Sequence, residues 1–166
     1  RVFLADTLEL VADIPAAYGP EGNRSKVVGL VDAPGQRFVF SLFDSGEIWI
    51  ADRGGSAGKQ ARNPRRLTAQ KGAKFTPMFS PDGNWIAFSG NYDGNVSVYI
   101  ISKDGGLPVR LTYHPGDDLV RGWTPDGRNV LFTSARSSVN WRARHLYTIP
   151  VEGGFPTELP IPMGKR

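Results

Sequence analysis

Three times along this chain a tight turn ending in glycine is followed, within three residues, by a short apolar run. Asp32-Ala33-Pro34-Gly35 precedes Phe38-Val39-Phe40, Ser80-Pro81-Asp82-Gly83 precedes Ile86-Ala87-Phe88, and Thr124-Pro125-Asp126-Gly127 precedes Val130-Leu131-Phe132. The glycines lie 48 residues apart from 35 to 83 and 44 apart from 83 to 127. A period in this range, built from short apolar runs and turn residues, marks β-propeller blades or a related repeat array. One such unit cannot bury its own apolar face, so the fold depends on how successive units stack.

Each unit reads as four strands. In the second, Lys74–Phe79, Trp85–Ser89, Val96–Ile101 and Pro108–Thr112 are the expected order. Pro81 presets φ for the first turn, Asp82 can bond nearby backbone donors, and Gly83 accepts a positive φ. Pro108 suits the entry of an edge strand, where a missing N–H is tolerated. Ile48-Trp49-Ile50, Val98-Tyr99-Ile100 and Leu146-Tyr147-Thr148 take the third-strand position. Gly54-Gly55, Gly105-Gly106 and Gly153-Gly154 follow as turns, and Arg66-Leu67-Thr68, Arg110-Leu111-Thr112 and Glu158-Leu159-Pro160 close the units. The blades are expected at about 28–68, 72–112 and 117–160, within a partial propeller over 28–166. Residues 1–27 form an N-terminal extension in which Leu8–Ala12 reads as a strand and which can pair with a blade edge. Val31, Phe79 and Trp123 precede the three turns, and their repetition marks them as inter-blade packing residues rather than ligand contacts.

The chemistry on offer is sparse. The chain has no cysteine, which excludes disulfides and thiolate metal sites. His114 and His145 alone make a poor metal set, and Asn91–Asn95 has the cadence of a calcium loop without its bidentate Glu, so a hairpin loop is expected there. No cofactor is expected. Gly54-Gly55-Ser56-Ala57-Gly58, with Asp117 or Asp118 and then His145, matches the chain order of a hydrolase triad. The elbow needs a helix after the serine, and Lys59–Arg66 shows no helical period and contains Pro64. Asp117 and Asp118 are adjacent and would point to opposite faces of a strand. Net charge is +4, from 20 basic and 16 acidic residues, yet Arg62, Arg65 and Arg66 carry no interleaved aromatics and read as a solvated loop; nucleic acid is not the expected partner. No run of 18 apolar residues is present, so no membrane span is expected. The first residue is Arg, which suggests a processed or truncated start. The compartment stays open between cytoplasm and export. The best partner patch is the insertion Arg136 to Arg144, with Arg136, Trp141, Arg142 and Arg144 as candidate contacts, since Trp and Arg are favoured interface anchors.

Ser-Pro-Asp-Gly, the apolar strand after it, the Gly-Gly turn and the Arg-Leu-Thr ending together resemble the TolB-type propeller repeat. Arg110–Gly116, Gly122–Gly127, Val151–Pro156 and Leu159–Met163 are similar, more specifically, to the N-terminal propeller of tricorn-type serine proteases. The first unit departs from the pattern, with Ala33-Pro34 in place of Pro-Asp. The resemblance implies an all-β chain of about three four-stranded antiparallel blades, half of a six-bladed ring. It also implies a parent protease whose propellers gate peptide substrates and whose catalytic residues lie elsewhere, so no catalytic residue is expected in this chain. The expected function is therefore a non-catalytic substrate-access or interaction scaffold. The alternatives are a free-standing TolB-like protein that binds a partner through rim loops, or the propeller of another hydrolase. Half a ring would leave two open apolar flanks, covered by self-association or by further blades.

Overall fold

The Ser/Thr-Pro-Asp-Gly turns are the organising points of the chain. In the second, Ser80 Oγ donates to Asp82 Oδ1 at 2.5 Å and accepts from the Trp85 N–H at 2.9 Å, while the Asn84 N–H reaches Asp82 Oδ1 at 3.0 Å. The third repeats this network with Thr124, Asp126, Arg128 and Asn129 at 2.5, 3.0 and 3.0 Å. The hydroxyls and N–H groups hold both carboxyls below the usual carboxylate range, with the Ser80 bond the largest cause for Asp82 and the Thr124 bond for Asp126. Gly83 and Gly127 both sit at φ +69°, where a Cβ would be strained.

The computed structural model describes residues 2–3, 10–12, 17–18, 23–53, 62–138 and 143–160. All regular structure among them is strand. β1 (Val2–Phe3) pairs with β2 (Leu10–Ala12), and β3 (Ala17–Tyr18) pairs with β4 (Asn23–Arg24). The expected strand near Leu8–Ala12 is β2, but its described ladder partner is β1 rather than a blade edge. Three four-stranded antiparallel meanders follow. The first is β5 (Val27–Ala33), β6 (Arg37–Leu42), β7 (Ile48–Asp52) and β8 (Arg62–Arg66). The second is β9 (Lys74–Phe79), β10 (Trp85–Asn91), β11 (Val96–Ser102) and β12 (Val109–Arg110). The third is β13 (Leu119–Trp123), β14 (Asn129–Ser134), β15 (His145–Pro150) and β16 (Thr157–Glu158).

Corresponding residues share one register. Phe40, Phe88 and Phe132 pair with Trp49, Tyr99 and Tyr147, which in turn pair with Arg66, Arg110 and Glu158. The N–H groups of Leu67, Leu111 and Leu159 all bond the third strand, at Ile48, Val98 and Leu146. In two blades the following threonine adds a side-chain bond: Thr68 Oγ1 accepts from Ile48 N–H at 2.9 Å and Thr112 Oγ1 from Val98 N–H at 3.0 Å. The third blade has Pro160 there.

Two expectations need correction. Arg62–Arg66 is not a loop but the edge strand β8, which tolerates Pro64 because the outer side of an edge strand needs no N–H. Arg65 bonds the carbonyls of Lys103 and Asp104, and Arg66 pairs with Glu47 at 2.9 Å. Val31 is also not the counterpart of Phe79 and Trp123. Phe79 pairs with Ile86 and Trp123 with Val130, but Asp32 pairs with Phe38 while Val31 pairs with Val39. The first turn is one residue shorter than the others, which slides its strand by one position.

The core lies between sheets, not within one. Ile86, Phe88, Tyr99 and Ile101 of the second blade pack with Val39, Ile48 and Ile50 of the first. On the opposite face, Ala87, Val98 and Ile100 pack with Val130, Phe132, Tyr147 and Ile149 of the third. Strand alternation thus sends adjacent residues of the second blade into different interfaces. Each interface sets an aromatic pair (Phe88 with Tyr99, Phe132 with Tyr147, centroids 5.7 and 5.6 Å apart) against a flank of smaller aliphatic side chains. Trp123 donates its Nε1–H to Met78 O at 3.0 Å, and Val120 N–H bonds Ser89 Oγ at 2.9 Å, both across a blade boundary. The turns nest as well: Gly83 lies on Pro34 and Gly127 on Pro81. The first strands β5, β9 and β13 approach one another along the inner side. These are blades converging on an axis.

Candidate functional site: the outer cleft between the second and third blades

Position by position, the two blade junctions carry different chemistry where the connector leaves the inner blade. At the first junction Lys74, at the start of β9, is buried and lies 5.1 Å from the Tyr92 ring centroid. Its ammonium donates to the carbonyls of Gln70 and Gly72. Burial lowers the Lys74 pKa, with Glu47 partly opposing, and burial raises that of Tyr92. At the second junction Arg136 takes the place of Tyr92, four residues beyond Phe132 as Tyr92 is four beyond Phe88. Its guanidinium lies 5.1 Å from the centroids of both Phe132 and Tyr147, with Nε on Ser134 Oγ at 3.1 Å and Nη2 on Asp118 Oδ2 at 2.8 Å. Asp118 is fully buried and its Oδ1 has no partner among the described residues.

Above this pair opens a cleft of about 310 Å³, lined by Leu111–Pro115, Arg136 and Gly154–Pro156. Tyr113 is 75% exposed and Phe155 95% exposed. The Arg110 guanidinium lies 4.9 Å from the Tyr113 ring centroid, inside cation–π range. His114 Nδ1 lies 3.0 Å from the Gly116 N–H and 3.4 Å from the Gly116 carbonyl, which ties the ring to its own connector. Among the described residues the cleft wall carries no carboxylate. It brings Arg136 and His114 together with the aromatic side chains of Tyr113 and Phe155.

The candidate partner residues divide. Arg136 is mostly turned inward, as the partner of Asp118, and still reaches the cleft. Arg144 bonds Asp117 O at 2.8 Å and is exposed. Trp141 and Arg142 lie outside the described residues. The hydrolase-like triad is not assembled from its described members: Asp118 is tied to Arg136, Asp117 accepts from Val96 N–H at 3.0 Å, and His145 pairs with Glu158 at 2.6 Å. Ser56 lies outside the described residues. Glu158 is held below the usual carboxylate range by His145 first and by Tyr147 second. The Asn91–Asn95 segment is a hairpin loop closed by Gly94 N–H on Asn91 Oδ1, and the described residues contain no cluster of three or more metal-type ligands. No helix among them is long and apolar enough to cross a membrane. Tyr113 and Phe155 were legible only as parts of a family motif, and His114 only as a metal ligand; the usable signal was that each lies in a Pro-bearing connector whose counterparts, Ala69, Gln70 and Leu107, are not aromatic.

Radial four-stranded meanders, nested Pro-Gly turns and aromatic-to-aliphatic blade junctions define a TolB-like β-propeller. The family model described as the tricorn protease N-terminal beta propeller domain matches residues 31–166. The chain belongs to that family. It is 33% identical over 133 residues to tricorn protease homolog 1 of Streptomyces coelicolor, covering 78% of this chain and 12% of that protein. It is 57% identical over 144 residues to protein NirF of Stutzerimonas stutzeri, covering 78% of this chain and 35% of that one. TolB from Acinetobacter baumannii shares the fold at a TM-score of 0.66 and 24% identity, over 85% of this chain and 34% of that chain. The chain thus spans between 12% and 35% of these relatives' lengths.

Proposed function

We propose that the chain is a non-catalytic propeller segment of a tricorn-like protease, acting as a scaffold that receives peptides at its rim and controls their access. The observation that carries this reading is the family match over residues 31–166, a domain described as the N-terminal propeller of a protease. The outer cleft supports it by joining the exposed aromatic side chains of Tyr113 and Phe155 to Arg136 and His114 at one blade junction. Loop-built rims on a rigid scaffold are where such binding surfaces arise. The test is incubation of the chain with a mixed digest of an unfolded protein. Retention of peptides with no cleavage is expected; cleavage that a serine-directed inhibitor abolishes, or no retention of any peptide, overturns the reading.

A second reading, a free-standing TolB-like module for a protein partner, is favoured by the fold likeness to TolB. It predicts tight binding of one folded protein and no retention of peptides.

A further inference from the structure

The first blade junction closes its rim with two arginines that the second junction lacks. Arg65 of β8 donates to the carbonyls of Lys103 and Asp104, at 2.7 and 3.2 Å, in the turn after the second blade's third strand. It also lies 3.8 Å from the Asp104 carboxylate. Arg37, at the start of β6, sits over the Phe79 ring at 5.5 Å from its centroid and reaches the Gly83 carbonyl at 3.5 Å. The ladders give both arginines a counterpart one blade on. Ile50 pairs with Arg65 as Ile100 pairs with Val109, and Arg37 pairs with Asp52 as Trp85 pairs with Ser102. Val109 and Trp85 thus stand where the arginines would be. The acceptors remain, because Val151 and Glu152 precede Gly153-Gly154 as Lys103 and Asp104 precede Gly105-Gly106. Among the described residues none donates to the carbonyls of Val151 and Glu152.

We infer that this rim docks a partner protein through an arginine flanked by apolar side chains. The guanidinium takes the carbonyls of Val151 and Glu152, and its apolar neighbours cover Trp85, Leu107 and Val109. Such a site stands apart from the outer cleft and serves a protease propeller and a free-standing one alike. Arg65 at the first junction is the template for the occupant. A planar guanidinium fork matches two adjacent carbonyls, which the point charge of a lysine does not, and Glu152 stands where Asp104 meets Arg65. The surface around the vacated positions is apolar: Leu107 is 82% exposed, Val109 52% and Trp85 39%. Ile100, which pairs with Val109, and Ala87, two residues after Trp85, both pack against the third blade, so alternation puts Val109 and Trp85 on that side. Val151 is partly buried against the same interface. In the first blade Arg37, Arg65 and, two residues before it, Asn63 hold these places, and all three are polar. Apolar surface beside unclaimed acceptors suits an Arg-centred contact, since Trp and Arg are favoured interface anchors. The chain's net charge of +4 gives a basic partner no help from the overall field, so this local site must supply the attraction.

The test is fluorescence anisotropy of the chain with a labelled heptapeptide, blocked at both ends, that carries Leu-Arg-Leu at its centre. The same peptide is measured with citrulline or Lys in place of Arg; citrulline keeps the shape and loses the charge. The Arg peptide should bind about three- to tenfold tighter than either, the scale of a partly exposed charge-assisted pair. Val109→Arg, at an exposed edge position, rebuilds the arm of the first junction in the second. It should abolish the preference for Arg with the circular dichroism spectrum unchanged, whereas Val109→Lys adds the same charge without the fork and should disturb binding less. Leu107→Ser should weaken the Arg peptide at least about threefold through lost apolar cover. Equal binding of the Arg and citrulline or Lys peptides, no binding of any of them, or equal effects of Val109→Arg and Val109→Lys overturns the inference. A changed sedimentation of the peptide-free chain on Val109→Arg would put a second copy at the rim instead, and overturns it too. Retention of digest peptides is read separately, so the scaffold reading stands or falls on its own experiment.

Discussion

A threonine hydroxyl at the end of a blade does the work of a backbone carbonyl. Thr68 Oγ1 accepts the Ile48 N–H where the short fourth strand has run out, and both residues are buried. Without that oxygen the N–H would have neither a ladder partner nor water. Thr68→Val keeps the shape and removes the acceptor, so it should cost about 1–3 kcal/mol, the penalty for stranding a buried donor. Thr68→Ser should recover most of that loss, and urea unfolding of the two variants measures the difference. The third blade shows the alternative solution: Pro160 supplies no hydroxyl, and the corresponding Leu146 is only half-buried. The depressed carboxyls of Asp82 and Asp126 add a pH sign at the same scale. A carboxyl whose folded pKa lies below its unfolded value stabilises the fold above the unfolded pKa, and this contribution is lost as pH falls through the folded one.

At the scale of the blade, alternation along β10 decides what each residue is worth. Phe88 is fully buried between the first two blades, whereas Trp85, three residues earlier, is 39% exposed at the strand's start. Phe88→Ala should cost about 3–5 kcal/mol through lost burial and the cavity left behind. Trp85→Ala, though larger by volume, should cost less, because a side chain already 39% exposed has less burial to lose. Denaturant midpoints of the two variants compare them directly. The same local rules made most of the blades legible in the sequence. Turn residues with a required φ and third-strand triads such as Val98-Tyr99-Ile100 are local signals, and β9 begins and ends where its residues indicate. What escaped depends on pairing at a distance. β8 is a strand because Trp49 and Ile50 offer it a ladder, not because Arg62-Asn63-Pro64-Arg65-Arg66 favours one. The slide of Val31 follows from a turn shortened by one residue. Arg136 reads as a surface contact in sequence, and only the fold brings the buried Asp118 beneath it.

For the molecule as a whole, the two junctions define what an unfilled one should look like. An outward flank was expected at each end of the blade series, but Phe38, Phe40 and Ala51, the first blade's residues facing away from the second, are buried. The third blade differs. By register, Leu131 and Leu146 match Ala87 and Val98, which the third blade covers, yet both leucines are only half-buried. Thr133 matches Ser89, whose hydroxyl receives the Val120 N–H across the junction; Thr133 Oγ1 instead takes its own neighbour Arg121 at 3.1 Å. Such a flank exposes apolar surface of the kind that drives association. The isolated chain should therefore self-associate through it as concentration rises, since covering the exposed part of two half-buried leucine side chains on each copy recovers a fraction of the about 1.5–3 kcal/mol that full burial of one brings. Leu146→Glu places a charge at the centre of that contact and should hold the chain monomeric without loss of its blades. Sedimentation velocity across a concentration series reads the outcome: a wild-type chain that stays monomeric at high concentration would show that Leu131 and Leu146 are not an associating surface. A Leu146→Glu chain that associates as before would place the contact elsewhere.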